Sequence, residues 1–298
     1  MVEMKKFSKL ITVLGSAALL AACGNSASDS GDSEADAGGA SGAPEGLIQV
    51  ISREEGSGTR DAFVEITGVK EGDNDNTTDV ADIQNSTDGV MTSVAGDPAA
   101  IGYISLGSLN DTVKALNVNG VEPTEENVAS GDYAIARPFN IVHKGDLEGA
   151  AQDFHDFIFS KEGQDIILAE GYVPVKSDAE AYAGDGSAEG NINISGSTSV
   201  GPVMEKLKEE YEKLNPGVSI NITQNGSGAG VQAAQEGTAD IGMASRELKE
   251  DETDVEAEAI AQDGIAVIVN NENGLGDITL ESVKGIFVGE ITDWSEVK

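Results

Sequence analysis

The sequence predicts an α/β fold built around a largely buried sheet. Two observations carry the expectation. From Leu47 onward short apolar runs alternate with amphipathic stretches, the signature of strands and helices taking turns along the chain. The composition, 39% hydrophobic with 37 glycines, fits a globular chain rather than a disordered acidic one. A length of 298 residues gives one large or two medium domains and enough sequence for a real core.

Taken in order, Leu47–Ser52 reads as the first strand, and Asp61–Ile66 and Gly89–Ala95 as helices. Ala100–Leu106 and Phe139–His143 are strands, and Ala151–Glu170 reads as one helix. Residues 176–190 (KSDAEAYAGDGSAEG) are polar and read as a linker within the body. Asn191–Ser195 is a strand. The clearest helix is Pro202–Leu214, where Val203, Leu207, Tyr211 and Leu214 fall at helical spacing and Pro202 sits early, where its missing N–H costs little. The series continues with strand Val218–Gln224, helix Val231–Gln235, strands Ala239–Ala244 and Gly264–Asn270, and helix Leu280–Phe287.

Charge narrows the partners. The chain carries 18 Lys+Arg against 53 Asp+Glu, a formal net of −35. Affinity for nucleic acid rests on cations neutralising phosphates, so nucleic acid is excluded as a partner. At the N-terminus Lys5, Lys6 and Lys9 precede the apolar run Ile11 to Ala22, which is too short to span a ~30 Å hydrocarbon core and reads as a signal peptide over residues 1–22. The run ends in Leu20-Ala21-Ala22-Cys23-Gly24, placing small residues before the chain's single cysteine. That pattern resembles the lipobox of bacterial lipoproteins, which implies acylation at Cys23 and a lipid anchor on the extracytoplasmic face of the cell membrane. A plain signal peptide with an incidental cysteine is the alternative. Loss of residues 1–22 removes three lysines and one glutamate and leaves 15 basic against 52 acidic residues, a net of −37. Residues 23–46 hold five acids and no base, the composition of a flexible tether.

Three Gly/Ser/Thr clusters each follow an expected strand and precede an expected helix. They are Ser195-Gly196-Ser197-Thr198-Ser199, Asn225-Gly226-Ser227-Gly228-Ala229-Gly230 and Arg53-Glu54-Glu55-Gly56-Ser57-Gly58-Thr59. Glycine admits close backbone approach, hydroxyls donate hydrogen bonds, and a helix N-terminus presents unpaired N–H groups with partial positive charge. One such cluster is most often a turn and a cap; three in one chain point to an oxyanion site. Arg53 adds a planar donor fork, with Glu55 as the residue expected to hold its guanidinium. The chain lacks a G-x-x-x-x-G-K-[ST] loop, a G-x-S-x-G elbow and an H-E-x-x-H helix. Its two histidines, His143 and His155, have no cysteine near them in sequence, so neither a metal nor an organic cofactor is expected, and no catalytic residue is assigned.

Several stretches together, ISGSTSVGPV, NGSGAGVQAAQEGTADIGMASRELK, DGIAVIVN, SREEGSGTRDAF, AIGYISLGSL and SKEGQDIILAEGYVPV, resemble the phosphate-binding lipoproteins of bacterial phosphate ABC transporters. The likeness covers 47–175 and 191–298. It implies a two-lobed periplasmic-binding-protein-like (type II) fold with the ligand in the inter-lobe cleft. It also implies a circular permutation, since that family begins with the segment found here at 191–298 and continues into 47–175; residues 176–190 then join the family's original ends, and Lys298 and Leu47 should lie close together. Carried over, the crossover strands are Phe139–His143 and Gly264–Asn270, lobe one is 139–270, and lobe two is 47–138 with 271–298.

The resemblance further implies high-affinity binding of inorganic phosphate, delivery to membrane permease subunits of an ABC transporter, a monomer, and no enzymatic activity. Lobe one would contribute Ser197, Thr198, Ser199, Ser227, Ser245 and Arg246, and lobe two Arg53, Ser57, Gly58 and Thr59. One position departs from the pattern. Better-known members carry an aspartate where Arg246 stands, and it accepts the proton of hydrogen phosphate; here Arg246 is expected to meet the anion directly, with Glu247, Asp61 or a backbone carbonyl open as the acceptor. The rival functions are a binding module for another oxyanion, an engineered phosphate-sensing permutant without transport, a surface lipoprotein with a vestigial cleft, and a phosphoryl-transfer enzyme.

Overall fold

A computed structural model describes residues 42, 44–72 and 74–298. The expected signal peptide, Cys23 and most of the tether lie outside these residues. Among the described residues no helix is long and apolar enough to cross a membrane.

Strand β1 (Gln49–Arg53) leads into α1 (Gly58–Ile66), the hairpin β2 (Lys70–Glu71) and β3 (Asn74–Asp75), β4 (Asp82–Gln84), α2 (Thr87–Gly96) and β5 (Ala100–Ser105). Next come β6 (Lys114–Ala115), β7 (Asn117–Val118), α3 (Glu125–Ser130), β8 (Ala136–His143), α4 (Gly149–Ile158), α5 (Lys161–Ala169) and β9 (Val173–Pro174). The chain continues through β10 (Glu189–Gly196), α6 (Gly201–Leu214), β11 (Gly217–Gln224), α7 (Ser227–Glu236), β12 (Ile241–Ala244) and β13 (Glu256–Val269) to β14 (Asp277–Ile278) and α8 (Leu280–Phe287).

The main sheet has the order β11-β10-β12-β8-β13-β5-β1-β4. At one end β10 pairs in parallel with β11 and β12, and at the other β1 pairs in parallel with β4 and β5. The middle is antiparallel, and β13 serves both sides: its Glu256–Gly264 part pairs with β8, whereas Ile265–Val269 pairs with β5. This strand is longer than the expected Gly264–Asn270. Its first half, Glu256-Ala257-Glu258-Ala259, alternates carboxylates with alanines and so offers no apolar run to read.

The helix expected over Ala151–Glu170 is two helices. The Ser160 hydroxyl donates to the Phe157 carbonyl at 2.7 Å, near the end of α4, and accepts the Gly163 N–H at 3.3 Å as the N-cap of α5. A serine that satisfies groups on both sides ends one helix and starts another. Helix α3 was not anticipated, although its Thr124 cap and the acids Glu125 and Glu126 in its first turn are ordinary start signals.

Hydrophobic packing falls on both faces of each side of the sheet. On the β1 side, Ile101 and Tyr103 of β5 join Phe63, Phe287 and Trp294, while Ala100 and Ile104 face Val90 and Val94 of α2. The alternation along β5 is the period of two expected of a strand covered on both faces. Phe63 stacks on Tyr103 with ring centroids 3.9 Å apart. On the β10 side, Phe139, Phe154, Phe157, Tyr211 and Ile194 form a second cluster. Each fully buried side chain of this size contributes about 2–3 kcal/mol through burial.

Residues 292–294 close the β1 side. Leu47 forms a β-bridge with Asp293, the Ile48 N–H donates to the Thr292 carbonyl at 2.8 Å, and the Trp294 N–H donates to the Gly46 carbonyl at 3.0 Å. The Trp294 indole is buried and donates to the Ala99 carbonyl. The segment read as a linker is pinned to the β10 side: Tyr182 packs edge-on against Phe157, its hydroxyl donates to Asp153, and its N–H donates to Glu162 at 2.7 Å.

Candidate functional site

The first turns of α1 and α7 and the turn entering α6 meet in one buried cluster, and each arrives as an apolar strand runs into a small-residue turn and a helix. After β1, Ser57 caps α1 by accepting the Arg60 N–H at 3.3 Å, which places Gly58 and Thr59 in the first turn. After β10, the Ser197 hydroxyl accepts the N–H groups of Ser199 and Val200, shaping the turn that enters α6. After β11, Gly226 takes a positive φ of 97° and leads into Ser227 at the start of α7.

Hydroxyls from these turns touch one another. Thr59 and Ser199 are 2.8 Å apart, Ser197 donates to Ser245 at 2.9 Å, and Ser227 lies 3.2 Å from Ser245 and accepts its backbone N–H at 3.0 Å. Arg53 donates through Nη2 to the Thr198 hydroxyl at 3.1 Å. Gly58 is tightly enclosed: a Cβ there would lie 2.3 Å from the Ser227 Oγ and 2.8 Å from the Ser245 Oγ. The Gly228 N–H also donates to the Gly56 carbonyl at 3.0 Å, directly joining the α7 turn to the α1 turn. Arg53, Thr59, Ser197, Ser199, Ser227 and Ser245 are all buried.

Two grooves flank the cluster. One, of about 400 Å³, is lined by Ser86, Thr87, Asp88, Ser108, Thr198 and Gln224. The other, of about 740 Å³, is lined in part by Asp61, Glu65, Arg137, Arg246 and Lys249.

A family model described as a PBP superfamily domain matches residues 28–162 and 181–298. The chain belongs to the PBP superfamily. It is 46% identical to Phosphate-binding protein PstS 2 of Streptococcus pneumoniae over 301 residues, covering 98% of this chain and all of that protein. The Streptococcus agalactiae protein of the same name is 46% identical over 94% of this chain and 93% of its own length. Among solved structures, a phosphate ABC transporter phosphate-binding protein from S. pneumoniae is 48% identical, with a TM-score of 0.70 over 85% of this chain and all of that one. Because the pneumococcal match runs through both chains, the segment order of this superfamily member is also that of its relative.

Of the ten candidate residues, the structure joins Arg53, Gly58, Thr59, Ser197, Thr198, Ser199, Ser227 and Ser245 by direct approach, with Ser57 beside them as a helix cap. Arg246 stands apart. Its Nη1 and Nη2 each donate to Glu252 at 2.7 Å, Nη1 also donates to the Glu247 carbonyl, and Nε is 3.0 Å from Asp61. Burial opposes the Arg246 charge, but Glu252 and Asp61 hold its pKa above the ordinary value. In this structure the Arg246 guanidinium is thus engaged by Glu252, the Glu247 carbonyl and Asp61.

One correction concerns the partner of Arg53. Glu54, not Glu55, holds the guanidinium, accepting from Nε at 2.8 Å and from Nη2 at 2.9 Å, while Glu55 is exposed. Adjacent glutamates differ by which face of the chain they leave from, and sequence alone did not separate them.

Three residues of this region went unread. Thr87 lies 3.2 Å from Ser199 and 3.4 Å from Thr198. Its signal was present in Asn85-Ser86-Thr87, a polar turn before α2 whose Ser86 caps the helix; it lacks the glycines that drew attention to the other clusters. Tyr103 hydrogen-bonds Ser52 at 2.9 Å and accepts the Arg53 N–H, and burial pushes its phenol up to about 12. Arg137 forms a fully buried pair with Asp263 at 3.1 Å and donates to the Ser245 carbonyl at 3.2 Å. Asp263 in turn accepts from Ser105 at 2.9 Å. Burial pushes the Asp263 carboxyl up and the Arg137 guanidinium down against their mutual attraction.

The two histidines, distant from the cluster in sequence, come together elsewhere. His143 and His155 each place Nε2 3.2 Å from the same Glu258 oxygen. Among the described residues no group of three or more His, Cys, Asp or Glu is arranged to hold a metal ion.

Proposed function

We propose that the protein is an extracytoplasmic receptor that binds inorganic phosphate and delivers it to the permease of an ABC-type phosphate transporter. The observation that carries the reading is the meeting of Arg53 and hydroxyls from separate helix starts in one buried cluster, which suits a small, desolvated oxyanion. The printed names of the pneumococcal and S. agalactiae relatives support phosphate as that oxyanion. The proposed ligands are Arg53, Ser57, Gly58, Thr59, Ser197, Thr198, Ser199, Ser227 and Ser245, with Thr87 added.

In this reading residues 139–270 form one lobe and residues 47–138 with 271–298 the other, and closure over the anion assembles donors from both. Arsenate, with the same shape and charge, should bind too. The bridge between Leu47 and Asp293 supports a circularly permuted order, with new ends opened at one place and old ends joined through 176–190. An order shared with a pneumococcal relative supports a natural origin for it. Acylation at Cys23 would hold this receptor at the membrane as a monomer.

Titration calorimetry with phosphate, arsenate and sulfate tests the reading. Saturable phosphate and arsenate binding at one site per chain is the expected result, and heat from none of the three anions would overturn it. A Cys23→Ala variant released from membranes into the medium would support the anchor.

A second reading, a receptor with weaker discrimination against sulfate, is favoured by one observation. The carboxylates Glu54, Asp61 and Asp263 are each already engaged by a cation, which competes with the proton of hydrogen phosphate for them. Sulfate competing with phosphate within about a hundredfold of its affinity would support it.

A further inference from the structure

We propose that Asp61, Arg246 and Lys249 form a latch across the cleft that sets the residence time of the bound anion, and that Arg246 is a positioning residue rather than an anion ligand. The proposal rests on the reading of this cleft as a phosphate site and adds a part that the anion itself does not touch.

The geometry begins in the turn after β12. Glu252 grips both terminal nitrogens of Arg246 at 2.7 Å and also accepts the Lys249 N–H at 2.8 Å. The turn 246–252 is thus knitted to itself, and the guanidinium is held with Nε 3.0 Å from the Asp61 Oδ2, an ion-pair distance without hydrogen-bond geometry. Lys249 brings a second cation to the same Asp61 oxygen at 2.9 Å. Asp61 belongs to α1, two residues beyond Thr59, while Arg246 directly follows Ser245. The pairs therefore join the two sides of the sheet immediately beside the hydroxyl cluster.

Charge bookkeeping separates a latch from a ligand. Arg246 and Lys249 are balanced by Glu252 and Asp61, so the four groups offer an anion no net attraction. In the proposed latch these contacts form on closure and are lost on opening, and contacts made in one state alone shift the equilibrium toward that state. Lys249 is half exposed, so its share of the latch weakens as salt screens it.

The two roles predict opposite signs for one substitution. If Arg246 were an anion ligand that Asp61 partly neutralises, Asp61→Asn would free the guanidinium and tighten phosphate binding. A latch requires the reverse: Asp61→Asn should speed phosphate release by about threefold to tenfold, weaken affinity by the same factor, and leave the association rate within about twofold. The measurement is stopped-flow kinetics with inorganic phosphate on the full chain, using intrinsic Trp294 fluorescence or an attached dye, beside thermal melts without phosphate. Lys249→Gln, at an exposed position, should speed release by about twofold, and adding it to Asp61→Asn should change nothing further, since both act through one carboxylate. Raising salt should speed release in the wild type more than in Asp61→Asn. Tighter or unchanged binding by Asp61→Asn, or additive effects in the double variant, would overturn the latch. A wild-type protein that binds no phosphate would instead overturn the functional reading on which it rests.

Discussion

Thr59 and Ser199, 140 residues apart in the chain, share a buried hydroxyl hydrogen bond of 2.8 Å. One sits in the first turn of α1 and the other in the turn before α6, so this contact brings two helix starts from opposite sides of the sheet to a single point. Thr87 approaches the same Ser199 at 3.2 Å, and Arg53 reaches Thr198 beside it. A hydroxyl can donate to an anion or accept from a neighbour, so the network can rearrange around a ligand without leaving a buried group unpaired.

Arg53 is the one cluster residue with a full positive charge and a direct contact to a cluster hydroxyl. Loss of a charge-assisted hydrogen bond costs about 1.5–3 kcal/mol, so Arg53→Met should weaken phosphate binding by about tenfold to a hundredfold. Thr59→Val keeps the shape and removes the hydroxyl; a loss of about fivefold to tenfold is expected. Titration calorimetry checks both, and unchanged affinity in Arg53→Met would remove it from the site.

Gly58→Ala tests the close approach of α1. The added methyl would press on the hydroxyls of Ser227 and Ser245, neither of which sits on a long, yielding side chain. Overpacking of this kind costs about 1–3 kcal/mol. Phosphate affinity should fall by more than about tenfold, with a lower melting temperature than the wild type. A variant with wild-type affinity would show that the α1 turn can withdraw from α7 without cost to the site.

The Arg137–Asp263 pair is buried on both sides. Removing one partner strands a charge, so Asp263→Asn or Arg137→Met alone should lower stability by about 3–5 kcal/mol. Changing both to apolar residues should cost much less than either single change. Urea denaturation of the three variants distinguishes the outcomes, because additive losses would mean that the two groups act independently.

Glu252 makes stability depend on acid. Burial alone would raise its carboxyl, but hydrogen bonds from Arg246 and the Lys249 N–H hold it below its ordinary value of 4.5. A depressed folded-state value means that the stabilisation is present above the unfolded value and is lost as pH falls through the folded one. Between about pH 6 and about pH 3 the wild type should therefore lose more stability than Glu252→Gln. Chemical denaturation at several pH values measures the slopes, and parallel slopes would show that this pair carries no acid sensitivity.

The sequence exposed the strands and helix starts because those features are local. Apolar runs such as Ala100–Ser105 and the paired Ser/Gly turns follow from neighbouring residues, and they proved sufficient to nominate most of the cluster. What stayed hidden depends on distant partners or on side-chain direction. Nothing adjacent to Arg246 reveals that Asp61, on another element, lies beside it, and nothing in the pair Glu54-Glu55 says which one faces Arg53. The break at Ser160 was local, yet the apolar spacing on both sides continued through it. The first half of β13 escaped because it is largely exposed and its strand character comes from pairing with β8 rather than from its own composition.

The bridge between Leu47 and Asp293 also bears on how the chain assembles during synthesis. Phe63 and Tyr103 belong to a cluster that includes Trp294 and Val297, residues made long after them. The elements from β8 into the first part of β13 enclose a cluster whose members span only residues 139–261, so that part can consolidate earlier. The β1 side must wait, with aromatic surface uncovered, until Trp294 and Val297 arrive. A stop codon placed just before Trp294 would therefore injure the region encoded nearest the start of the body more than the region encoded in its middle.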